Sequence, residues 1–304
     1  MGSYYGSTRA ICAGGLVLSL MSFCADADNA RDWQNMPQDL DLVFGYYSHV
    51  EANTSLDTSV PIDGSTIKAD VYILRYAHSF AIDGRSSGFQ ILQPYADIRA
   101  TLDDAMMLDG EHKRHGMGDT QFILVHNLFG APALSREEFA KWQPETFLSA
   151  AFWLTAPTGD YDKDRLINIG ANRWVFKPEL AFGKPIGPTW IEVNTWVSLY
   201  TNNDDYLGNQ TLAQRPQWAI EGHYSYNFNQ ALWASIDTTW SVGGETKIDG
   251  APQDNRQNNN LLGATIGFQL SPEFGGLIAY SDTVQKRSYS PDVSNWTVRF
   301  QYVW

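Results

Sequence analysis

The chain has 304 residues, 18% of them charged and 13% aromatic, with 11 Trp, 15 Tyr and a formal net charge of -13. Soluble domains are roughly a quarter charged, so this composition disfavours a soluble fold, while a mean hydropathy of -0.31 excludes a bundle of membrane helices. The acidic balance argues against nucleic acid, whose phosphates call for clustered Lys and Arg.

At the start, Arg9 precedes the apolar run from Ala10 to Phe23, and Ala25-Asp26-Ala27 offers small residues at a cleavage position. This pattern reads as a secretory signal peptide rather than a membrane span. No later segment approaches the ~20 apolar residues a spanning helix needs. The division expected is therefore a signal peptide over 1–27 and one outer-membrane domain over 28–304, crossing the bilayer with strands. Both cysteines, Cys12 and Cys24, fall inside the signal, which leaves the mature chain without disulfide, zinc or thiol chemistry. Cys24 as a lipid-attachment site is disfavoured by the bulky Phe23 before it.

From residue 39 onward the chain divides into about twelve alternating segments. They are placed at Leu40–Ala52, Ile67–Ala81, Gly88–Thr101, Thr120–Phe129, Thr146–Ala156 and Ile169–Phe182. The remainder are Thr189–Tyr200, Gln217–Phe228, Leu232–Gly243, Leu261–Leu270, Gly276–Asp282 and the C-terminal Asn295–Trp304. A period of two puts one face of a strand in an apolar medium and the other in a polar one. The last segment shows it most clearly: Trp296, Val298, Phe300, Tyr302 and Trp304 oppose Asn295, Thr297, Arg299 and Gln301. Aromatic at both ends and ~10 residues long, it fits a tilted strand crossing a bilayer. The third to fifth segments are apolar on both sides, and alternation alone does not assign their faces.

The connections alternate in length, as in a barrel with short periplasmic turns and long outer loops. Short ones fall at Asp83–Arg85, Lys184–Pro188, Asn229–Ala231 and Ser271–Gly275. Long polar ones fall at Leu102–Asp119, Pro157–Asn168, Thr201–Pro216, Gly244–Asn260 and Thr283–Ser294. One connection departs from the rule. Gly130–Glu145 is long where a turn is expected, and Ser135-Arg136-Glu137-Glu138 reads as a capping box opening a short helix, lying on the membrane surface or folded under the barrel mouth. The fold class expected is an all-β, transmembrane antiparallel barrel of about twelve strands.

Two motifs carry a family resemblance: Ala156-Pro157-Thr158-Gly159-Asp160-Tyr161-Asp162, and Asn168-Ile169-Gly170-Ala171-Asn172-Arg173-Trp174 running into Pro178-Glu179-Leu180. With the Trp- and Tyr-rich hairpins that follow, the chain resembles the bacterial outer-membrane family of the phenol-degradation meta-pathway. The resemblance implies a barrel that passes small, often aromatic or apolar, molecules.

Candidate functional residues are those on predicted lumen faces: Lys177, Glu179, Glu192, Asn194, Trp196, Glu221, His223, Asp237, Arg299 and Gln301. Mixed charge inside a barrel selects permeants by charge and dipole; the other reading is a salt-bridge ladder filling a closed lumen. Trp196 and Tyr200 suggest an apolar track, or simple packing near a rim. Trp218, Trp240, Trp296 and Trp304 sit near predicted strand ends, where interfacial girdles belong. Asp160, Asp162 and Asp164 have the opening spacing of a calcium loop, but Arg165 and the lack of a closing Glu exclude an EF-hand. His112 and His115, in a basic stretch of an outer loop, make a weak metal site.

The function expected is passage of small solutes across the outer membrane, without cofactor or metal. Its partners would be membrane lipid, the permeant and, through the C-terminal strand, the barrel-assembly machinery; oligomeric state is left open. The alternatives are a non-conducting scaffold or surface-binding barrel and, less favoured, a barrel-embedded hydrolase using His223 with Ser225 or Ser235.

Overall fold

A computed structural model describes residues 28–54, 65–102, 110–165, 167–287 and 290–304. The expected signal peptide and both cysteines lie outside them. The strands in chain order are β1 (Asp41–Thr54), β2 (Ser65–Ile82), β3 (Arg85–Leu102), β4 (Gly110–Met117), β5 (Thr120–Phe129) and β6 (Phe147–Ala156). Next come β7 (Val175–Ile186), β8 (Thr189–Tyr200), β9 (Asn203–Tyr206), β10 (Gln210–Gln214), β11 (Gln217–Asn227) and β12 (Leu232–Gly243). Last are β13 (Thr246–Ile248), β14 (Ala251–Pro252), β15 (Gln257–Gln269), β16 (Phe274–Lys286) and β17 (Asp292–Val303).

All pairings are antiparallel. Twelve strands close on themselves: β1-β2-β3-β5-β6-β7-β8-β11-β12-β15-β16-β17, with β17 returning to β1. Closure removes every sheet edge, the condition for strands to lie in lipid. β4 pairs only with the upper half of β3, from Tyr95 to Leu102, whereas the lower half of β3 pairs with β5. The expected outer loop Leu102–Asp119 therefore contains a strand, and His112 and His115 sit on it rather than in a loop.

Alternation decides which side each residue takes. Along β11, Trp218, Ile220, Tyr224 and Tyr226 face out, while Glu221, His223 and Ser225 are buried inside. Aromatic rings collect on the outward face. Tyr47, Tyr72 and Tyr95 form a row across the middle of β1–β3, with ring centroids 5.4 and 6.5 Å apart. Trp218, Trp240 and Trp296 are exposed on the loop end, and Trp304 on the turn end.

The interior is not uniform. On the β1–β3 side it is apolar, with Val50, Ala52, Ile67, Ala69, Val71, Ile73, Ile98 and Ala100 buried in one cluster that also takes in Ile167 and Ile169. Those two isoleucines come from the loop after β6, which folds into the barrel mouth. This covered inner wall is why β3 reads as apolar on both sides.

That loop is braced by backbone. Asp119 accepts the amides of Gly159 (2.8 Å) and Ala171 (2.7 Å), and Asp160 accepts that of Met117 (2.7 Å). Burial raises the Asp119 carboxyl above its usual range, against the pull of the Ala171 and Gly159 amides. Gly159 and Gly170 touch so closely that a Cβ on either would lie 2.8 Å from the other's backbone. Residues 169–174 are thereby held in this loop, and β7 starts at Val175 rather than at the expected Ile169. Over it sits a four-stranded sheet, β14-β13-β10-β9, tied down by Gly208 N–H to the Lys163 carbonyl (2.8 Å) and Tyr161 Oη to the Asp205 carbonyl (3.0 Å).

At the opposite end, the long β5–β6 connection folds under the barrel. It contains α1 (Arg136–Phe139), whose capping box pairs the Ser135 and Glu138 side chains with each other's amides, and the Ser135 contacts hold Glu138 below the usual carboxylate range. Arg85 bridges to Pro132, and Asn127 Oδ1 accepts the Ala131 amide at 3.1 Å.

The glycine contact can be tested by substitution. Gly159→Ala forces a Cβ into the Gly170 backbone, an overpacking cost of about 1–3 kcal/mol. Protease cleavage within 157–174 should accelerate while heat-modifiable mobility on gels, the mark of a closed barrel, is retained. Unchanged cleavage would refute the brace.

Candidate functional site

The lumen is occupied from below by residues 28–40, which the chain threads inward before β1 begins. Few backbone bonds hold its inner part: Asp32 N–H to the Asn29 carbonyl, Gln34 N–H to Arg31, and Gln38 N–H to Leu134 of the β5–β6 connection. Side chains do the rest. Asp32 meets Arg299 of β17 at 2.5 Å and Arg75 of β2 at 3.9 Å, with all three side chains under a tenth exposed. Arg75 is itself fixed by Gln90 (2.6 Å) and Tyr46 (3.0 Å). Arg31 reaches the other wall, donating to Ser225 (3.0 and 3.2 Å) and Asn227 (2.7 Å), and its guanidinium lies 4.4 Å from the Trp233 ring centroid. Glu192 accepts the Arg31 amide at 3.1 Å and Gln34 Nε2 at 3.4 Å.

Gly267 makes the Arg31 contact possible. Trp233 stands opposite it in register, and a Cβ at that position would run into the indole ring. On the apolar side, Trp33 packs edge-on against Trp153 at 6.3 Å and donates its indole N–H to Asp28 at 3.0 Å.

The predicted lumen residues divide into groups around this segment. Lys177 and Glu179 pair at 3.3 Å, and the Lys177 ammonium sits between Trp153 (4.0 Å) and Trp196 (4.6 Å). Trp196 is thus a cation–π partner, and Tyr200 is another, stacked on Arg173 at 4.6 Å. Each ring has a cation over one of its faces. His223 lies between Asp237 (2.7 Å at Nδ1) and Glu221 (3.3 Å at Nε2). Asp237 also accepts Ser235 and Thr265, and Glu221 accepts Thr239. With both ring nitrogens facing carboxylates and Ser225 held by Arg31, the serine–histidine pair a hydrolase would use is not formed. Asn194 is buried on the inner face of β8, and Gln301 is half-buried on the inner face of β17. Among the described residues, no His, Cys, Asp and Glu cluster could hold a metal ion; Asp162, from the calcium-like spacing, instead accepts Arg165 Nε.

Sequence reasoning missed the partners of these groups: Asp28, Arg31, Asp32 and Trp33 below, and Arg75 and Gln90 on the wall. The signal was an unassigned stretch, Asp28 to Asp39, carrying charge and a Trp between the leader and β1.

Above the segment, on the β11–β17 side, lies a cavity of about 130 Å³. It exists because the inner faces of β15 and β16 carry small side chains there, Gly263, Thr265, Ala279 and Ser281. Ile73, Leu92 and Trp153 give it an apolar side; Asp28, Glu221, His223 and Asp237 give it a polar one.

The sequence matches the family described as "Putative MetA-pathway of phenol degradation" over residues 51–290. The chain belongs to that family. No curated protein matches it in sequence. Among solved structures it is similar to the COG4313 outer membrane channel from Pseudomonas putida F1, with a TM-score of 0.79 and 21% identity, covering 91% of this chain and 100% of that one. It is more distantly similar to the transport unit of the autotransporter AIDA-I from Escherichia coli (TM-score 0.55, 8% identity, 97% and 99% covered). The beta domain of the Bordetella autotransporter BrkA gives a TM-score of 0.54 at 10% identity, with 88% and 100% covered. The shared feature is the outer-membrane barrel fold, in which short turns face the periplasm; the N-terminal segment enters from that side. It precedes the residues matched to the family, whereas both family motifs begin in the brace over the outer mouth.

The Asp32 contact is testable. Removing one partner of a buried ion pair costs about 3–5 kcal/mol. Asp32→Ala should expose the N-terminal segment to protease and lower the urea midpoint of the refolded barrel, and a double-mutant cycle with Arg299→Ala should show coupling. Additive effects would mean that the pair does not hold the segment.

Proposed function

We propose that the protein is a non-enzymatic outer-membrane channel for a small solute with an apolar or aromatic part, closed here by its own N-terminal segment. The observation that carries this reading is how the lumen is filled. The segment belongs to no strand ladder, and up to Met36 it is held chiefly by side-chain contacts, so that part can leave with every strand pairing intact while Asp39 and Leu40 stay bonded to the Ser79 backbone of β2. A barrel stabilised as a solid scaffold would fill its interior from the wall strands themselves.

The cavity supports the solute class. An engineered cavity of about 150 Å³ in another protein takes up a benzene ring, and this one is of similar size with one apolar side. Similarity to a structure described as an outer membrane channel points the same way. Passage would rest on many weak contacts shared along the lumen, with no covalent step.

Planar-bilayer recording on the refolded protein tests the reading. The intact chain should show small or rare openings. Removing residues 28–39 should give a several-fold larger, long-lived conductance. Single-ring aromatic solutes should block it. A truncated barrel that is folded but silent would overturn the channel reading in favour of a scaffold.

A further inference from the structure

We propose that the cavity between the N-terminal segment and β11–β17 is a binding site for a small amine, whose ammonium is held by Glu221 and Asp28 and whose ring or aliphatic body lies against Trp153 and Leu92. The inference rests on the channel reading and deepens it by naming the solute class.

Charge balance in the lumen favours a cation. Among the described residues, six carboxylates stand in and around the cavity: Asp28, Asp32, Glu179, Glu192, Glu221 and Asp237. Five cations stand near them: Arg31, Arg75, Lys177, Arg299 and, when protonated, His223. Asp32 occupies both Arg75 and Arg299, and Glu192 accepts the Arg31 backbone amide, with the Arg31 charge nearby but not in an ion pair. Glu179 pairs with Lys177, and Asp28 lies beside that pair, so one ammonium faces two carboxylates. Glu221 and Asp237 likewise share one imidazole. One negative charge remains over, and a buried carboxylate requires a proton or a cation.

The positions of two oxygens favour the same ligand, independently of the tally. Asp28 is 6% exposed; its Oδ2 accepts the Trp33 indole, and no donor reaches its Oδ1, while its carboxyl lies within hydrogen-bonding reach of the Glu179 carboxyl. Glu221 is 3% exposed, and its Oε2 lies at ion-pair distance from His223 in a geometry that makes no hydrogen bond. Both residues line the same cavity. An ammonium has three donors and no acceptor, which matches two buried carboxylate oxygens that lack a donor. A carboxylate solute would bring a further negative charge to them, and an alcohol could supply only one donor.

The test is binding to the full barrel in detergent, followed by Trp fluorescence and calorimetry, with benzylamine, benzyl alcohol and benzoate as probes. Benzylamine is expected to bind about tenfold or more tightly than benzyl alcohol, with benzoate not binding. Glu221→Gln should erase the amine's advantage. Ala279→Leu, which fills the cavity without altering charge, should abolish binding of amine and alcohol alike. Heat-modifiable mobility establishes that each variant is folded. Equal affinities for amine and alcohol, preference for benzoate, or an amine preference that survives Glu221→Gln would each overturn the proposal. Because binding is read without current, the two readings fail separately. A silent barrel that still selects benzylamine keeps the site and loses the pore, whereas a conducting barrel with no amine preference does the reverse.

Discussion

Buried charge must be satisfied in a lumen that lipid surrounds on every side. Arg75 and Arg299 project from β2 and β17 into the interior, and among the described residues no carboxylate of a wall strand lies within ion-pair distance of either. Their counter-charge, Asp32, arrives on a segment that is not part of the barrel wall. Isolated burial of such groups costs several kcal/mol each even after relaxation. The N-terminal residues are therefore part of the barrel's electrostatic structure, although they contribute no strand. On the other wall Glu192 accepts the Arg31 amide, and Lys177 answers Glu179 between two indoles.

Two plugs of different character follow. The lower one is side-chain-bound and charged. The upper one is backbone-bound and apolar: Gly159 against Gly170, amides on Asp119, and Ile167 and Ile169 on the inner faces of β2 and β3. A backbone brace of glycines cannot shift without steric cost, whereas an ion pair can exchange partners when water or a charged solute enters. The asymmetry assigns movement to the N-terminal side and rigidity to the family motifs. They shape the mouth.

Much of the barrel was legible in the sequence because a period of two survives wherever one face meets lipid and the other a polar lumen. β5, β8 and β12 have the expected bounds. Where the inner face is also apolar, as in β3, alternation fades and the faces could not be read. Ile169 to Trp174 looked like the beginning of a strand because its apolar residues pack inward from a loop. The inner-face residues of β7, β8, β11 and β17 could be named from pattern alone, but not what they touch. Their partners lie up to 267 residues away, as Arg299 and Asp32 do, and no local spacing announces such a contact. The small sheet over the mouth was equally silent, since strands as short as two to five residues leave no period to detect.

Occupation of the lumen by residues 28–40 is the central claim, and thiol accessibility reads it directly. Ala30 is 0% exposed within the barrel. In a chain with Cys12 and Cys24 changed to Ser, Ala30→Cys should resist a bulky, water-soluble maleimide for hours in the folded barrel. It should label rapidly once Arg299→Ala is added. If the introduced thiol labels at the rate of an exposed one in the otherwise intact barrel, the claim fails, because the segment then lies outside the lumen and the charges of β2 and β17 need another partner.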